Sequence, residues 1–472
     1  MGTINSAFGL ISSALDADQE ALSVVANNVA NANTPGYTVE NPVWQQNSAI
    51  DVGGSQLGDG VTEAGASSQR DRVLEERLGQ QQQLASASGA RLSALNNIQS
   101  LFPVSSGTSS STGDIGAGIT SFFNSFSALE ASPTNSALRE QMLSSASTLA
   151  GDIAGTAGSL NAQRASLDQE AAGVSSQVNA LTASIAKLNQ QIQSTSPNAD
   201  AGTLEDQRQQ DLSQLSQLVG INQTTTENNG LSITTTSGQL LVSEGQNFQL
   251  TTGTVNGVTH FFVGGSDATS GLATGGGQLG GYLTARDQDV PSALNALDQL
   301  AYGISTAVNA KNNAGTDLNG ATGTTANPLY IFNQPTAVSG SAAAMTVVMT
   351  DPSQIAAAAS GAGTGDNSNA VAMANLGTGA VVNGQTPINY FSNFVSSLGA
   401  TVSEVKTENT AQTASVTQLQ SQRDALSGVN LNDEASALST LQTSYQAASQ
   451  VFNILNTIIT SALNLGEQTT VT

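Results

Sequence analysis

Cysteine is missing from this chain of 472 residues, which contains a single histidine, His260, and a single tryptophan, Trp44. Without cysteine the chain forms no disulfide bonds and performs no thiolate chemistry. A single histidine removes most zinc sites and most nucleophilic catalysis. A Ser/His/Asp mechanism would depend on His260 alone, and this residue stands in a Thr-His-Phe-Phe run typical of a strand. We interpret it as an ordinary strand residue.

Basic residues are scarce too, since 12 Lys and Arg face 35 Asp and Glu, giving a formal net charge of −23. Binding to nucleic acid or to an anionic membrane needs clustered Lys and Arg, so we expect neither as a partner. No apolar run reaches the roughly 18 residues of a membrane span. The first basic residue is Arg70, so the beginning of the chain lacks the positive charge of a secretory signal peptide.

A clear helical period is present at both ends of the chain. Apolar residues recur there at steps of three, four or seven, which predicts helices with one apolar stripe. The stripe that we name the N-terminal seam, interrupted at Asp18, consists of Ile4, Phe8, Ile11, Leu15, Leu22, Val25 and Val29. The stripe that we name the C-terminal seam consists of Leu438, Leu441, Tyr445, Ala448, Phe452, Leu455, Ile459 and Ala462. Val451, Ile454 and Ile458 widen it to a second surface.

Each seam could pack on the chain's own core, which is the usual role of an amphipathic helix. The matching period of the two seams favours a different interpretation, in which they pair with each other and with copies of themselves. Isolated helices are marginal in water. We therefore expect the two ends to be loose in a single chain and ordered in an assembly.

Residues 26–38 read Ala-Asn-Asn-Val-Ala-Asn-Ala-Asn-Thr-Pro-Gly-Tyr-Thr and resemble the N-terminal signature of flagellar rod, hook and hook-associated proteins. Its amides can bond neighbouring backbone, and its Pro-Gly pair turns the chain out of the helix. The motif residues are Asn27, Asn28, Asn31, Asn33, Pro35, Gly36 and Tyr37. Residues 428–435 and 445–448 resemble the C-terminal signature, with Asn432 where relatives usually carry an acid and Leu441 where an aromatic is common.

The middle of the chain resembles the hook-associated protein 1 family, whose members form the hook–filament junction. The segments that carry this likeness are 177–192, 204–208, 212–216, 277–283 and 309–315. The likeness covers nearly the whole chain in order and is weakest from about 314 to 390. Rod and hook proteins are mostly β between their ends, so the helical middle favours the junction family.

The resemblance implies a structural subunit of the bacterial flagellum, without enzyme activity or cofactor, that joins hook to filament by self-assembly through its terminal helices. Its implied partners are copies of itself in a ring or tube, hook protein below, a second junction or filament-type protein above, and an export chaperone on the C-terminal seam. It implies an extracellular location after type III export without signal-peptide cleavage. A hook or rod subunit, and a flagellum-borne enzyme or adhesin, remain alternatives.

The predicted fold class is mainly α with β inserts. Its terminal helices pair as a coiled coil, the body is a long helical bundle, and a β-rich domain projects outward. We expect a terminal domain from 1–34 and 430–472, a helical body from 35–218, 287–312 and 388–429, a β-rich insert at 219–286, and an outer Gly/Ala/Thr-rich segment at 313–387. Helix breaks are predicted near Pro133 and Pro197, and a strand at 345–349.

Three other motifs suggest chemistry only weakly. Residues 317–320, Asp-Leu-Asn-Gly, hint at a calcium loop but lack the later bidentate glutamate. The glycine-dense run 275–281 lacks the Lys-Ser/Thr of a phosphate loop, so we interpret it as a turn. Glu75 and Glu76, beside Arg72 and Arg77, are interpreted as a solvated helix face.

Overall fold

The computed structural model describes residues 2–34, 36–52, 55–103, 113–195 and 202–468. Its helices are α1 (Gly2–Asn31), α2 (Arg72–Ser100), α3 (Ile115–Ala131), α4 (Ser136–Thr195), α5 (Thr203–Leu218), α6 (Thr269–Gly275), α7 (Gly277–Thr284), α8 (Val290–Ala314), α9 (Ser368–Ala374), α10 (Pro387–Ser427) and α11 (Leu431–Gln468). A π-helical turn, Ala285–Asp289, joins α7 to α8. The prediction of a mainly helical fold with β inserts is confirmed.

The strands form three antiparallel groups. A hairpin after α1 pairs β1 (Glu40–Gln46) with β4 (Val61–Ser68), and β2 (Ile50–Val52) with β3 (Ser55–Leu57). A meander follows α5, made of β5 (Ile221–Thr225), β6 (Leu231–Thr235), β7 (Leu240–Ser243) and β8 (Gln246–Asn247). The third group is β9 (Leu250–Val255), β10 (Val258–Val263) and β11 (Ser266–Asp267).

The helix boundaries follow local sequence signals. The Asp71 carboxylate accepts hydrogen bonds from the backbone N–H groups of Val73 and Leu74, which caps α2. The predicted break near Pro133 is confirmed, because it lies between the end of α3 and the start of α4. The predicted break near Pro197 falls at residues 196–201, between α4 and α5, and lies outside the described residues.

A first hydrophobic core joins α3, the first half of α4, α8, the start of α10 and the chain between α8 and α10. At its centre the ring of Phe122 lies 5.1, 5.2 and 5.5 Å from the ring centroids of Phe123, Phe126 and Phe332. These edge-on contacts suit aromatic quadrupoles. Phe332 belongs to the segment predicted to lie outside the body at 313–387, so that part of the prediction is wrong: the segment contributes to the core.

The segment between α8 and α10 is irregular, and the strand predicted at 345–349 is wrong. Val347 forms one isolated bridge with Phe332 instead of a ladder. Its alternating apolar residues are buried by packing rather than by strand pairing, with Met345 and Met349 in the first core. The alternation of apolar residues therefore indicates which side chains are buried here, but it does not indicate a strand.

Side chains of α8 satisfy much of the irregular backbone. Asn309 donates from Nδ2 to the Phe332 carbonyl and accepts on Oδ1 from the N–H of Ile331. Asn312 accepts from the N–H of Ala356 in the same way. Buried N–H and carbonyl groups need partners. These amides take the place of a strand ladder, and they fix the segment to α8.

A second core lies between the last half of α4, α5, the two sheets of 221–267, and α6 with α7. Residues 269–284, inside the predicted β insert at 219–286, therefore form helices, and that boundary of the prediction is wrong. The glycine-dense run does contain the expected turn, at Gly276 with φ of 99° between α6 and α7. Helix α7 then packs closely on α2, because a Cβ at Gly281 would lie 2.3 Å from the Ala87 carbonyl oxygen.

We expect Gly281→Ala to lower the free energy of unfolding by about 1–3 kcal/mol, because α7 must move away from α2 to make room. Gly155→Ala is the matched control, since a Cβ at this glycine of α4 meets nothing within 4 Å. It should raise stability by about 0.5–1 kcal/mol through its better helix propensity. Urea unfolding followed by circular dichroism measures both, and equal effects would rule out the close α2–α7 approach.

Candidate assembly site

The two terminal helices lie against each other. Their contact includes the rings of Phe8 on α1 and Phe452 on α11, whose centroids are 4.6 Å apart. The C-terminal seam faces α1: its half-buried members are Leu438, Leu441, Ala448, Phe452, Leu455 and Ile459. Tyr445 and Ala462 are exposed. The widening residues Val451, Ile454 and Ile458 are also exposed in the single chain.

The N-terminal seam drifts around α1 and is only partly buried. Ile11 and Val25 are buried, and Phe8, Leu15 and Leu22 are half-buried. Val29 is 45 % exposed, so it lies outside the contact in the single chain. An α-helix drifts about 20° per heptad from a strict seven-residue repeat, which carries the last position out of the contact. The Ile4 side chain lies outside the described residues.

Sequence reasoning missed the small residues of α1. Ala17 and Ala21 are buried, one on each side of the apparent polar interruption at Asp18. Alanine allows close helix approach but adds little to an apolar stripe, so the pattern passed over it. The signal that could have found these positions is their spacing of four with Val25, which continues the buried face.

The second side of α1 is covered by the hairpin β1–β4. Near the hairpin tip the backbone of Gly60, with φ of 82°, comes so close that a Cβ there would lie 2.5 Å from the Ser13 hydroxyl. Further along, the carboxyl groups of Glu20 and Glu63 form a hydrogen bond, which raises the pKa of Glu63 to about 7, with burial and the Glu20 charge adding to the effect. We name α1, this hairpin and α11 together the terminal unit.

Asn28, from the resemblance motif, joins all three parts of the terminal unit. It is 1 % exposed. Its Nδ2 donates to the Glu40 carbonyl at 2.8 Å and to Glu434 Oε1 at 3.2 Å. Its Oδ1 accepts from the Tyr37 hydroxyl at 2.8 Å and from the Glu40 N–H at 3.1 Å. One amide thus uses both donors and both acceptor positions to connect α1, β1 and the first turn of α11.

The other motif residues shape the turn after α1. Asn31 donates to the Asn27 carbonyl and to its side-chain oxygen, so these two amides pair along the helix. Gly36 has φ of 83°, a conformation that favours glycine. Burial raises the pKa of the Tyr37 hydroxyl, and the nearby carboxylates of Glu40, Asp206 and Glu434 add to this, which keeps it a hydrogen-bond donor. Asn33 is exposed. Pro35 lies outside the described residues.

The terminal unit is fastened to the body where the hairpin begins and ends. The Val39 N–H donates to the Ser427 carbonyl at the end of α10, and the Ser427 hydroxyl donates to the Gln69 carbonyl. Arg70, buried, forms ion pairs with Glu205 and Asp206 at the start of α5. Removing one member of a buried pair is costly because the other charge is left behind. We name this region the attachment region.

The terminal unit carries charge of one sign. Residues 1–69 contain seven Asp and Glu, residues 428–472 contain three, and neither stretch contains Lys, Arg or His. Copies placed side by side therefore gain no ion pairs between their terminal units. Contacts between such units must come from apolar faces and amides, and they are opposed by like-charge repulsion that salt weakens.

The weaker motifs are used structurally. The Asp317 carboxylate accepts hydrogen bonds from the N–H groups of Asn319 and Ala321, so it closes a turn. His260 Nδ1 lies 2.6 Å from Asp267 Oδ2 on neighbouring strands. Glu75 is buried and bonded to Gln209, so its interpretation as a solvated residue is wrong, and burial raises its pKa. Among the described residues no cluster of three metal-binding side chains occurs, and no helix has the length and apolarity for a membrane span.

Two family models match the chain. The one described as flagella basal body rod protein covers residues 11–38, most of α1 with the Asn-rich motif. The one described as the flagellar hook-associated protein FlgK helical domain covers residues 95–326, from the end of α2 into the irregular segment. Residues 11–38 are thus similar to flagellar rod proteins, and residues 95–326 are similar to the helical domain of the hook-associated protein.

Curated relatives extend over nearly the whole chain. Flagellar hook-associated protein 1 of Escherichia coli is 26 % identical, covering 96 % of this chain and 98 % of that protein. The protein of the same name from Salmonella typhimurium is also 26 % identical, with the same two coverages of 96 % and 98 %. The one from Bacillus subtilis is 24 % identical and covers 96 % of both chains.

A solved structure shares the fold. The flagellar hook junction protein FlgK from Burkholderia pseudomallei superposes with a TM-score of 0.64 at 18 % identity, covering 75 % of this chain and 100 % of that one. A helical body with paired terminal helices and an Asn-rich turn defines a flagellar structural protein. Over nearly its whole length the chain is similar to flagellar hook-associated protein 1.

We expect Asn28→Ala to loosen the terminal unit without unfolding the body. It removes four hydrogen bonds and leaves Glu434 and Tyr37 without this partner, at a cost of about 1–3 kcal/mol. Hydrogen exchange should become faster in α11 and β1 and stay unchanged in α3 and α8. Asn33→Ala, at an exposed amide of the same motif, is the control; similar behaviour of the two variants would contradict the role given to Asn28.

Packing of the hairpin on α1 should weaken as pH rises through about 7. The pKa of Glu63 lies above its ordinary value of 4.5. The folded state therefore holds this proton more tightly than the unfolded chain does, and the associated stability is complete below pH 4.5 and lost as pH rises through the folded pKa. Exchange of β1 and β4 amides at pH 6 and pH 8, corrected for intrinsic rates, measures it. Glu63→Gln should abolish the difference, whereas Asp59→Asn should retain it.

Proposed function

We propose that the chain is a structural subunit of the bacterial flagellum, joining hook to filament by self-assembly through its terminal helices. The observation that carries the proposal is the terminal unit, in which both ends of the chain return to one place and leave an apolar face of α11 exposed. Curated relatives that align over 96 % of the chain bear the name hook-associated protein 1. The neighbours follow from this position: hook protein below and a second junction or filament-type protein above.

The architecture supports a junction subunit over a hook or rod subunit. Between the terminal helices the body is built mainly from helices, and its two sheets occupy only 221–267. A hook or rod subunit would have a mostly β middle. Electron microscopy of flagella containing a tagged chain tests the position, and label along the whole hook would favour the rival.

An enzyme or adhesin on the flagellum is the rival from another class. In the attachment region, the charged side chains of Arg70, Glu205 and Asp206 are engaged with one another. We therefore propose a subunit without catalytic activity. Cleavage of peptidoglycan or glycans by the purified chain would overturn this.

Export precedes assembly in this proposal. The chain leaves through the flagellar type III apparatus without signal-peptide cleavage and is held beforehand by a chaperone on the C-terminal seam. In the folded chain Phe452, Leu455 and Ile459 are half-buried on the side that faces α1. The chaperone and α1 therefore compete for one surface, and release of α11 from the chaperone allows α1 to pair with it.

Leu455→Asp should block assembly and chaperone binding. A carboxylate at this half-buried position of the α1 contact is costly to desolvate. Asn456→Asp adds the same charge one residue further on, at an exposed position, and should assemble normally. Flagella counted by microscopy, pull-down of the chaperone and circular dichroism of both variants measure the effect. Normal assembly of Leu455→Asp would contradict the role of the seam.

A further inference from the structure

The only tryptophan of the chain is displayed on the hairpin of the terminal unit. Trp44 is 50 % exposed on β1, and the neighbouring Val43 is exposed too. The register of β1 with β4 shifts between Pro42 and Trp44, because two residues of β4, Ala64 and Gly65, lie opposite Val43 alone and form a bulge. Bulges commonly re-aim side chains at functional places. The rest of β1 after Trp44 is Gln45 and Gln46, which isolates this apolar pair on a polar strand.

An apolar cleft opens on the body near the attachment region. It has a volume of about 430 Å³ and lies between the start of α2 and the end of α10. Val73 and Leu426 line it and are 60 % and 58 % exposed, with Leu74 and Ala425 beside them. Exposed apolar side chains that gather in a cleft commonly mark an interaction site. An indole group is large enough to bury a substantial area there.

The ionisable groups around the cleft favour the binding of an acidic partner. Arg77 lines it, and Arg72 adjoins Val73 and is 58 % exposed, 3.6 Å from Glu205. Asp71, the one acid that lines the cleft, is already engaged because it caps α2, and Asp424 beside Ala425 is bonded to Arg423. Exposed basic groups beside an apolar opening attract an acidic partner and suppress a basic one.

The hairpin has the properties of such an acidic partner. Glu63 lies directly opposite Trp44 in the register, so the two side chains share a face. Glu63 is hydrogen-bonded to Glu20 of α1, and burial and the Glu20 charge disfavour its ionised form. Residues 1–69 offer this carboxyl pair no base. An arginine from outside the terminal unit would pair with these carboxyl groups and offset the repulsion between Glu20 and Glu63.

We propose that the Trp44 side of the hairpin docks into the Val73–Leu426 cleft of a second copy of this chain, with Arg77 of that copy facing Glu63. This inference rests on the proposed function and specifies the contact between neighbouring subunits. Strands rise about 3.3 Å per residue, so Trp44 lies only about 13 Å from Glu40 at the hairpin base. The cleft adjoins the attachment region, which lies at the same base. Both surfaces are thus at one level, which suits lateral neighbours around a ring.

The contact is head-to-tail, because two different surfaces meet. Such a contact repeats from copy to copy and closes into a ring or continues as a helix, whereas a self-complementary contact stops at a dimer. The number of copies joined in series therefore distinguishes the proposed contact from pairing of two hairpins through their own tryptophans.

The absence of cysteine makes cross-linking direct. Flagella are purified from cells whose only copy of this chain is the Trp44→Cys/Leu426→Cys double variant, and are treated with a short bismaleimide. We expect a ladder of covalent multimers that ends at the number of copies in the ring. If Trp44→Cys prevents assembly, Gln46→Cys, an exposed position two residues further along the same face of β1, takes its place. A control pairs Trp44→Cys with Leu84→Cys, at an exposed leucine of the same helix α2, and should give no ladder.

Charge reversal tests the ionic part of the contact. Arg77→Glu in the double-cysteine background should lower the ladder yield about tenfold, and Arg77→Lys should leave it nearly unchanged. A ladder that is absent from flagella containing the chain overturns this inference and leaves the proposed function intact. Dimers formed by Trp44→Cys alone also overturn it. If the chain is not found in the flagella, both the inference and the proposed function fail.

Discussion

The four hydrogen bonds of the Asn28 side chain are the constraint on which the terminal unit depends. They connect α1, the start of β1 and the first turn of α11 at one buried point. Most helical stability in proteins comes from tertiary packing, and a single apolar stripe fixes neither the register nor the rotation of two paired helices. A buried amide with every bond made fixes both. The adjoining bonds of Ser427 and Arg70 then transmit this geometry to the body.

The body solves a related problem with the same kind of side chain. Between α8 and α10 the chain forms no sheet, yet its backbone is buried in the first core. Asn309 and Asn312 supply the partners that neighbouring strands would otherwise supply. Amides therefore hold together two irregular parts of the described structure, the turn after α1 and the segment around Phe332. A chain with few fixed ion pairs depends on them, because they bind backbone without carrying charge.

Sequence periodicity predicted the helices and the face of α11, since Phe452, Leu455 and Ile459 do face α1. It failed where the pattern depends on the partner. Val29 lies outside the contact of the single chain because a straight helix does not keep a seven-residue repeat. Ala21 is buried there because close approach of two helices needs a small side chain. The Asn-rich motif marked the right residues but not their bonds, which involve Glu434 far along the chain. The apolar run at 345–349 correctly indicated buried side chains, but burial alone does not distinguish a strand from an irregular segment.

The one-sided charge of the terminal unit also determines how the protein is cut. Trypsin cleaves after Lys and Arg, and the first and last of these are Arg70 and Arg423. Residues 1–70 and 424–472 therefore survive trypsin as two intact pieces, even when α1 and α11 are fully unfolded. Loose ends of this chain are invisible to a tryptic digest and to any protease that requires a basic residue. A protease that prefers apolar or aromatic residues, which abound on the seams, detects them.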